Sequence, residues 1–406
     1  MIFTIIYLYQ FLVFILNSAT DIFKHKITFQ LYLQRFFNLN LKKSDILLHA
    51  CSCGEVKLLT PITKLLDEKN ILYQLSIHTP SGYKLMKEQK NIFLKPFDNF
   101  IFMFFIFYRI RPKILIISSR DVWPFYIFWA LYFNVKIYFV NYEIKGNYLK
   151  NVIYYSIATK IFLKNKIKNK TKNKTKNKLI KNNSKYEYLG NLKFLSSKII
   201  KKKINKKINK NLHKNQNKKL RIVIASANEN ELDIHLNYMI EIIKIYPKIQ
   251  FIYVPRHLNW FYKFKNKLSN IDYEIIFDDN NLNIHTITKN IIVIWQYGLL
   301  EKIYSYSNIC IMGDTFNNIG GHNLIEPAIN KNYIVTGPNI HTCQDIYNKI
   351  HGKLKVNNLE ELIFQTKVII NKKLYKKYAI NNQKKILKIK KKIKKKLLKI
   401  VNLFYL

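Results

Sequence analysis

What most constrains this 406-residue chain is an alternation: short apolar runs rich in Ile, Val and Phe recur between stretches long enough to be helices. Asp45 to Ala50, Ile71 to His78, Lys113 to Ser118, Val135 to Val140 and Thr159 to Leu163 form a first series. Leu220 to Ala225, Gln250 to Val254, Asn290 to Trp295, Asn308 to Met312 and Tyr333 to Thr336 form a second. Strands buried on both faces read as continuous apolar runs, and strands separated by helix-length segments pair in parallel through crossover helices. The pattern predicts two doubly wound α/β domains in tandem, one over 23–195 and one over 220–370.

Lys and Arg number 69 against 24 Asp and Glu, a net charge of +45. The excess comes together with Asn, Ile, Tyr and Phe, so it reads as a compositional bias acting on tolerant positions. It is concentrated, among other places, in 164–183, an insert in the first domain with the near-repeat Lys-Asn-Lys-Thr, and in 196–219, the interdomain linker. Both tracts read as solvated. They lack the interleaved aromatics on which bases stack, so no nucleic-acid partner is expected. A 49% apolar content with only 10 Gly and 4 Cys excludes collagen-like, disulfide-scaffold and wholly disordered classes. Cys51, Cys53, Cys310 and Cys343 have no zinc-type spacing, which predicts reduced thiols with packing roles and no structural metal. Cys51 and Cys53, two apart, would share one face of a strand.

Residues Ile2 to Leu16 are almost wholly apolar or aromatic, with Thr4 and Gln10 as the exceptions. As a helix they would reach roughly 22 Å, short of the roughly 30 Å hydrocarbon core. Asp21 makes an extension to Phe23 costly, so 1–22 reads as a shallow membrane anchor. No Lys or Arg precedes the run while Lys24 and Lys26 follow it, which predicts a chain body on the cytoplasmic face. At the other end, 371–406 sets Ile386, Ile389, Ile393, Leu397, Ile400 and Phe404 at three- and four-residue steps between lysines. This is a basic amphipathic helix that either packs on the protein or lies on an anionic bilayer.

The densest chemical signal is Gly313 to Gly337, GDTFNNIGGHNLIEPAINKNYIVTG. A strand ends at Met312 and the Gly320-Gly321 pair precedes a short helical pattern, so backbone amides at the turn are expected to face a phosphate with the helix N-terminus behind it. Glu326, one position before Pro327, would either accept from ribose hydroxyls or offset the helix dipole.

The run GGHN followed by Glu326-Pro327-Ala328 resembles the C-terminal signature of the 3-deoxy-D-manno-octulosonic acid (Kdo) transferases, membrane-attached glycosyltransferases of the B-type (GT-B) fold. Other pieces agree in order: HACSCGE at His49 to Glu55, TPSG at Thr79 to Gly82, Trp123-Pro124, GNLKF at Gly190 to Phe194 and VPRH at Val254 to His257. The resemblance covers both halves and implies two Rossmann-like domains with a central cleft and transfer of Kdo from CMP-Kdo to a lipid A precursor. It further implies inversion at the anomeric carbon, no metal or other cofactor, and a site on the cytoplasmic face of the inner membrane. Another GT-B transferase with a different nucleotide sugar is the neighbouring reading; a catalytically degenerate, basic, membrane-tethered binding protein is the rival from outside enzymes.

By that resemblance Glu55 and Asp121 are the catalytic carboxylates, and Arg256, His257, Gly320, Gly321, His322, Asn323, Glu326 and Lys193 hold the donor. Glu55 follows Gly54 at the carboxyl end of the first strand, where α/β domains open on their ligand crevice, so it is placed to act as general base on an acceptor hydroxyl. Read without the resemblance it is a first-turn helix carboxylate. Arg256 follows a buried strand and Pro255, and a planar fork with a fixed charge suits the CMP phosphate. His322 would orient its loop. The family's Glu-Leu-Trp-Pro is Asp121-Val122-Trp123-Pro124 here, a carboxylate retracted by roughly 1.5 Å. Ser119, Ala227-Asn228-Glu229 and the run Asn141 to Lys145 depart from it as well.

Overall fold

The computed structural model describes residue 35 and residues 41–86, 89, 91–119, 123–144, 148–166, 184–197, 199, 219–269, 271–278, 284 and 286–403. The anchor segment 1–22, Asp121, most of the 164–183 insert and most of the linker lie outside the described residues. The chain divides into two compact units, Met1–Ser196 with Lys392–Leu406, and Ser197–Lys391.

In the first unit the described strands are β1 (Ile46–Ala50), β2 (Tyr73–Ile77), β3 (Ile92–Leu94), β4 (Ile114–Ser118), β5 (Lys136–Tyr142), β6 (Lys160–Leu163) and β7 (Tyr186–Tyr188). They form one parallel sheet in the order β3-β2-β1-β4-β5-β6-β7, with Leu48 registered against Leu75 on one side and Ile116 on the other. The order reverses between β1 and β4, which opens a crevice beyond the carboxyl ends of those two strands. Helices α1 (Cys53–Glu68), α2 (Pro80–Leu85), α3 (Phe100–Ile110), α4 (Pro124–Tyr132), α5 (Tyr148–Ile157) and α6 (Lys193–Ser196) connect and cover the strands. Leu47, Leu115, Ile117 and Phe139 of the sheet pack with Met103, Ile106 and Phe107 of α3 in one core.

The second unit repeats the plan with β8 (Arg221–Ala227), β9 (Gln250–Pro255), β10 (Tyr273–Ile276), β11 (Ile291–Ile294), β12 (Ile309–Met312), β13 (Tyr333–Thr336) and β14 (Lys353–Lys355). The order is β10-β11-β9-β8-β12-β13-β14, again all parallel, and its switch point lies between β8 and β12. Its helices are α7 (Leu232–Ile245), α8 (Phe261–Lys267), α9 (Leu300–Tyr306), α10 (Ile325–Ile329), α11 (Gln344–Tyr347) and α12 (Leu359–Asn371). Ile222, Ile224, Tyr253, Val293 and Ile311 form a core with Leu236, Met239 and Ile242 of α7.

Within the C-terminal pattern over 371–406, Leu374–Leu403 form one helix, α13, whose residues are shared between the two units, and Phe404 lies outside the described residues. In the second unit the buried Asn382 accepts from the amides of His351 and Gly352 at 2.9 and 2.8 Å and donates to Asn332 O and Gly352 O. In the first, Ile393 lies where a Cβ on Gly190 would stand, 2.9 Å away, and Lys396 donates to Tyr188 O. Ile386, Ile393, Leu397 and Ile400 are all buried, so of the two fates open to this apolar face it takes packing on the protein. Among the described residues no helix is long and apolar enough to cross a membrane.

None of the four cysteines is joined in a disulfide. Cys51 and Cys53 do not share a strand face: β1 ends at Ala50, Cys51 lies in the turn and Cys53 opens α1.

Candidate functional site

In the second unit the site is built on the loop that leaves β12. Asp314 is its hub. Buried and in the left-handed region (φ 58°), it donates its N–H to the Glu231 carboxylate at 2.7 Å, and its carbonyl accepts from both Gly320 N and Gly321 N at 2.9 and 2.7 Å. Its carboxylate takes Asn317 Nδ2 at 2.8 Å and pairs with His322 Nε2 at 2.6 Å. Glu231, also buried, accepts Phe316 N at 2.7 Å as well, so one carboxylate grips the loop at two amides. Burial pushes the Glu231 carboxyl up, while these amide bonds favour its charged form.

This geometry changes the expected role of the glycine pair. Both amides are spent on the Asp314 carbonyl rather than turned to a phosphate. Gly320 and Gly321 have φ of 94° and 82°, and a Cβ on Gly320 would stand 2.3 Å from the His341 ring. They are glycine because the turn and its packing demand it. The helix that follows, α10, has only five residues, and Asn323 Oδ1 already accepts from Ile325 N at 3.1 Å, so little dipole is left to hold an anion. Glu326 is the second residue of α10, and its Oε1 accepts from Asn323 Nδ2 at 2.9 Å.

Arg256 and His257 emerge from the end of β9, exposed, with Arg256 N donating to Ala227 O at 2.8 Å. Burial lowers the His322 pKa, the bond to Asp314 opposes that, and the charges of Arg256 and His257 lower it further. These three basic side chains, from two motifs 65 positions apart in the sequence, thus share one field at the carboxyl ends of β9 and β12. Behind the loop, His235 is buried edge-on to the Tyr253 and Phe316 rings, with neither ring nitrogen hydrogen-bonded among the described residues. Burial drives its pKa down to about 3.

In the first unit Glu55 lies in the first turn of α1. Ser52 caps the helix, accepting from Glu55 N, and Glu55 Oε2 reaches back to Cys51 N at 2.6 Å. This reciprocal arrangement resembles a capping box. It fixes a half-exposed carboxylate at the switch point of the sheet, so the helix-cap reading and a site role coexist in one residue. Thr79 N donates to Cys51 O, which ties the TPSG turn to the HACSCGE turn. Beside them, the Trp123 ring lies tilted against His78 with centroids 4.5 Å apart, and the fully buried Lys95 sits 4.6 Å over the Trp123 ring and 3.8 Å from Asp98. Asp98 in turn accepts from the amides of Phe125 and Tyr126 and so fixes the start of α4. Lys193 opens α6 with its side chain exposed, and its N–H donates to Asn191 Oδ1.

Sequence reasoning missed Glu231, Asp314, Lys95 and Asp98. Glu231 sits in the polar turn Asn228 to Glu231, where nothing local marks which carboxylate is turned inward. Among the described residues no group of three or more His, Cys, Asp and Glu has a metal-holding arrangement.

Residues 29–196 match the family model described as 3-deoxy-D-manno-octulosonic-acid transferase (kdotransferase). The 3-deoxy-D-manno-octulosonic acid transferase of Aquifex aeolicus is 26% identical over 344 residues, which cover 82% of this chain and 88% of that protein. The transferase of the same name from Rickettsia typhi is 24% identical over 372 residues, 86% of this chain and 78% of that protein. Among solved structures, a glycosyltransferase from Rickettsia africae aligns with a TM-score of 0.58 at 15% identity over 89% of this chain and 99% of that one, a likeness of fold.

Proposed function

We propose that the chain is a Kdo transferase, a reading supported by the family match over residues 29–196 and by the Aquifex and Rickettsia relatives, and that it transfers Kdo from CMP-Kdo to a lipid A precursor, with inversion and without a metal, at the cytoplasmic face of the inner membrane. The two units take the roles of a GT-B pair, acceptor domain first and donor domain second. The observation that carries the reading is that Arg256 and His257, after β9, act electrostatically on His322, in the loop that leaves β12. A phosphodiester beside a sugar carboxylate needs such a set, since a guanidinium binds paired anionic oxygens in its fork and the imidazoles donate around it.

In this reading Glu55 takes the proton of the acceptor hydroxyl as its oxygen attacks the anomeric carbon. CMP leaves with the bonding electrons, and Arg256 holds the phosphate charge. The bond from Cys51 N keeps the carboxylate in one orientation, which a base must have before its substrate arrives. Glu326 and Asn323, joined to each other, hold the donor's sugar hydroxyls, and Lys193 and Asp121 are further contacts in the same proposal.

The test is mass spectrometry of a lipid A precursor incubated with the full chain and CMP-Kdo. Addition of one or more Kdo masses is the expected result, and a precursor of unchanged mass in the presence of folded protein overturns the proposal.

A further inference from the structure

Lys and Arg make up 69 of the 406 residues, yet α3 (FIFMFFIFYRI) and α4 (PFYIFWALY) carry Arg109 as their sole charged side chain. An outer helix on a water-facing sheet normally turns a polar side to solvent, and a helix that is apolar all round is normally buried. These two are neither. Met103, Ile106 and Phe107 of α3 and Tyr126, Ile127 and Trp129 of α4 point into the core, while the opposite sides expose Ile101, Phe105 and Tyr108, and Phe128, Leu131 and Tyr132. Phe105 is 51% exposed and Tyr132 67%. The two stripes form one surface. Phe100 meets Phe128 at 5.6 Å and Trp129 at 4.7 Å, and Trp129 meets Tyr132 at 5.1 Å.

We infer that the outer face of α3 and α4 is a bilayer-contact surface whose partner is an anionic lipid membrane. Two observations select lipid. Aromatic side chains with an apolar body and a polar edge favour the boundary between acyl chains and headgroups, and the exposed Tyr108 and Tyr132 supply them. The stripe also ends in cations: Arg109 lies in the last turn of α3 and Arg111 is its C-cap. An open cleft of about 1060 Å³ at the amino ends of β1, β4 and β5 is lined by Arg111, Lys113 and Lys136 together with Tyr108 and Phe133. Lys113 is held by Asp45 at 3.0 Å, while Arg111 and Lys136 are exposed. Insertion of apolar side chains beside headgroup-seeking cations is the arrangement of an in-plane membrane anchor.

The helices run along the sheet from its carboxyl edge, where α3 starts at Phe100, to its amino edge at Ile110. A bilayer on this face therefore lies alongside the first unit, and its surface reaches the level of the crevice that holds Glu55. The surface stands on its own observations whether or not the chain transfers Kdo.

The test uses the full chain with vesicles of phosphatidylglycerol and phosphatidylethanolamine whose acyl chains are brominated near the headgroup, and reads tryptophan emission. Trp129 lies directly beneath the exposed rings, so its emission should be quenched. The quenching should be lost in Trp129→Phe and in Phe105→Glu/Tyr132→Glu, which keeps Trp129. The double variant should also partition about tenfold more weakly. Quenching that survives both changes means the membrane is met elsewhere, and the inference fails. It fails equally if wild type shows no quenching. In that case a concentration-dependent dimer lost in the double variant assigns the face to a second copy, and a lowered melting temperature of that variant without dimers assigns it to the chain's own apolar residues 2–16.

Discussion

The Glu231 carboxylate holds the Asp314 amide at 2.7 Å, and through that bond the turn after β8 is fastened to the loop after β12, 83 positions away in sequence. The same carboxylate holds Phe316 N, so the loop's path is set by a buried charge rather than by apolar contact alone. Glu231→Gln presents one acceptor oxygen to two donors and turns an amide N–H toward the other. Breaking one hydrogen bond to a charged group costs about 1.5 to 3 kcal/mol, so urea unfolding should show a loss on that scale. Calorimetry should show weaker CMP binding in the same variant, because His322 and the glycine turn hang from Asp314. A Glu231→Gln protein with wild-type stability would mean that the loop holds its own shape.

Arg256 has a different profile. It is exposed and its backbone amide, not its side chain, is bound to β8, so Arg256→Ala should leave the melting temperature within error of wild type. Affinity for CMP should fall by about 1.5 to 3 kcal/mol, the scale of a hydrogen bond to a charged group. Unchanged CMP affinity by calorimetry would remove Arg256 from the donor site.

Glu55→Gln keeps an acceptor oxygen for Cys51 N and removes the basicity. Turnover should fall by about 10² to 10⁴ in a mass-spectrometric transfer assay, while CMP affinity and stability stay near wild type. Asp121→Asn is the control. Near-wild-type turnover in Glu55→Gln together with a collapse in Asp121→Asn would exchange the two roles.

His235 makes stability depend on pH. The native ring is neutral, held down to about 3 by burial, with the Asp314 charge pulling weakly upward, whereas the unfolded ring titrates near 6.5. Between those values the unfolded chain binds the extra proton, so this group's contribution is intact above 6.5, falls as the pH drops below it and is gone near 3. At pH 5 the loss amounts to about 2 kcal/mol. His235→Phe keeps an aromatic edge against Tyr253 and Phe316 without the titration. Comparing urea unfolding at pH 7 and pH 5, the variant should gain on wild type by about that amount. A gap that does not move with pH would show that the ring is protonated in the native state.

The ten strands legible in the sequence are the interior of both sheets, and the four that were not are β3, β7, β10 and β14, the edges. The reason is physical. A central parallel strand is buried on both faces and is nearly all apolar, as Ile114–Ser118 and Ile309–Met312 are, while an edge strand has only one neighbour and tolerates Tyr186-Glu187-Tyr188 or Lys353-Leu354-Lys355; β3, Ile92–Leu94, is apolar but only three residues long. The candidate site divides in a similar way. Residues that lie next to a strand end, such as Glu55 and Arg256, could be found from the pattern. Asp314 and Glu231 could not, because their function is toward each other and sequence carries no mark of that pairing. The glycine pair shows the converse: Gly320 and Gly321 were expected to turn their amides to a phosphate, and those amides turn inward to the Asp314 carbonyl.

Helix α13 gives the order of synthesis a consequence. Ile393, Leu397 and Ile400 are buried, Ile393 fills the space beside Gly190, and the residues from Lys392 onward count with the first unit. On the ribosome that unit emerges first and is completed last. Until the final turns of α13 are translated and clear the exit tunnel, the apolar seat around Gly190 and Tyr188 stays open to water and to whatever binds nascent chains. The N-terminal unit of this chain is therefore the one most exposed to chaperones, and a stop codon a few turns early would harm the unit made at the beginning of translation.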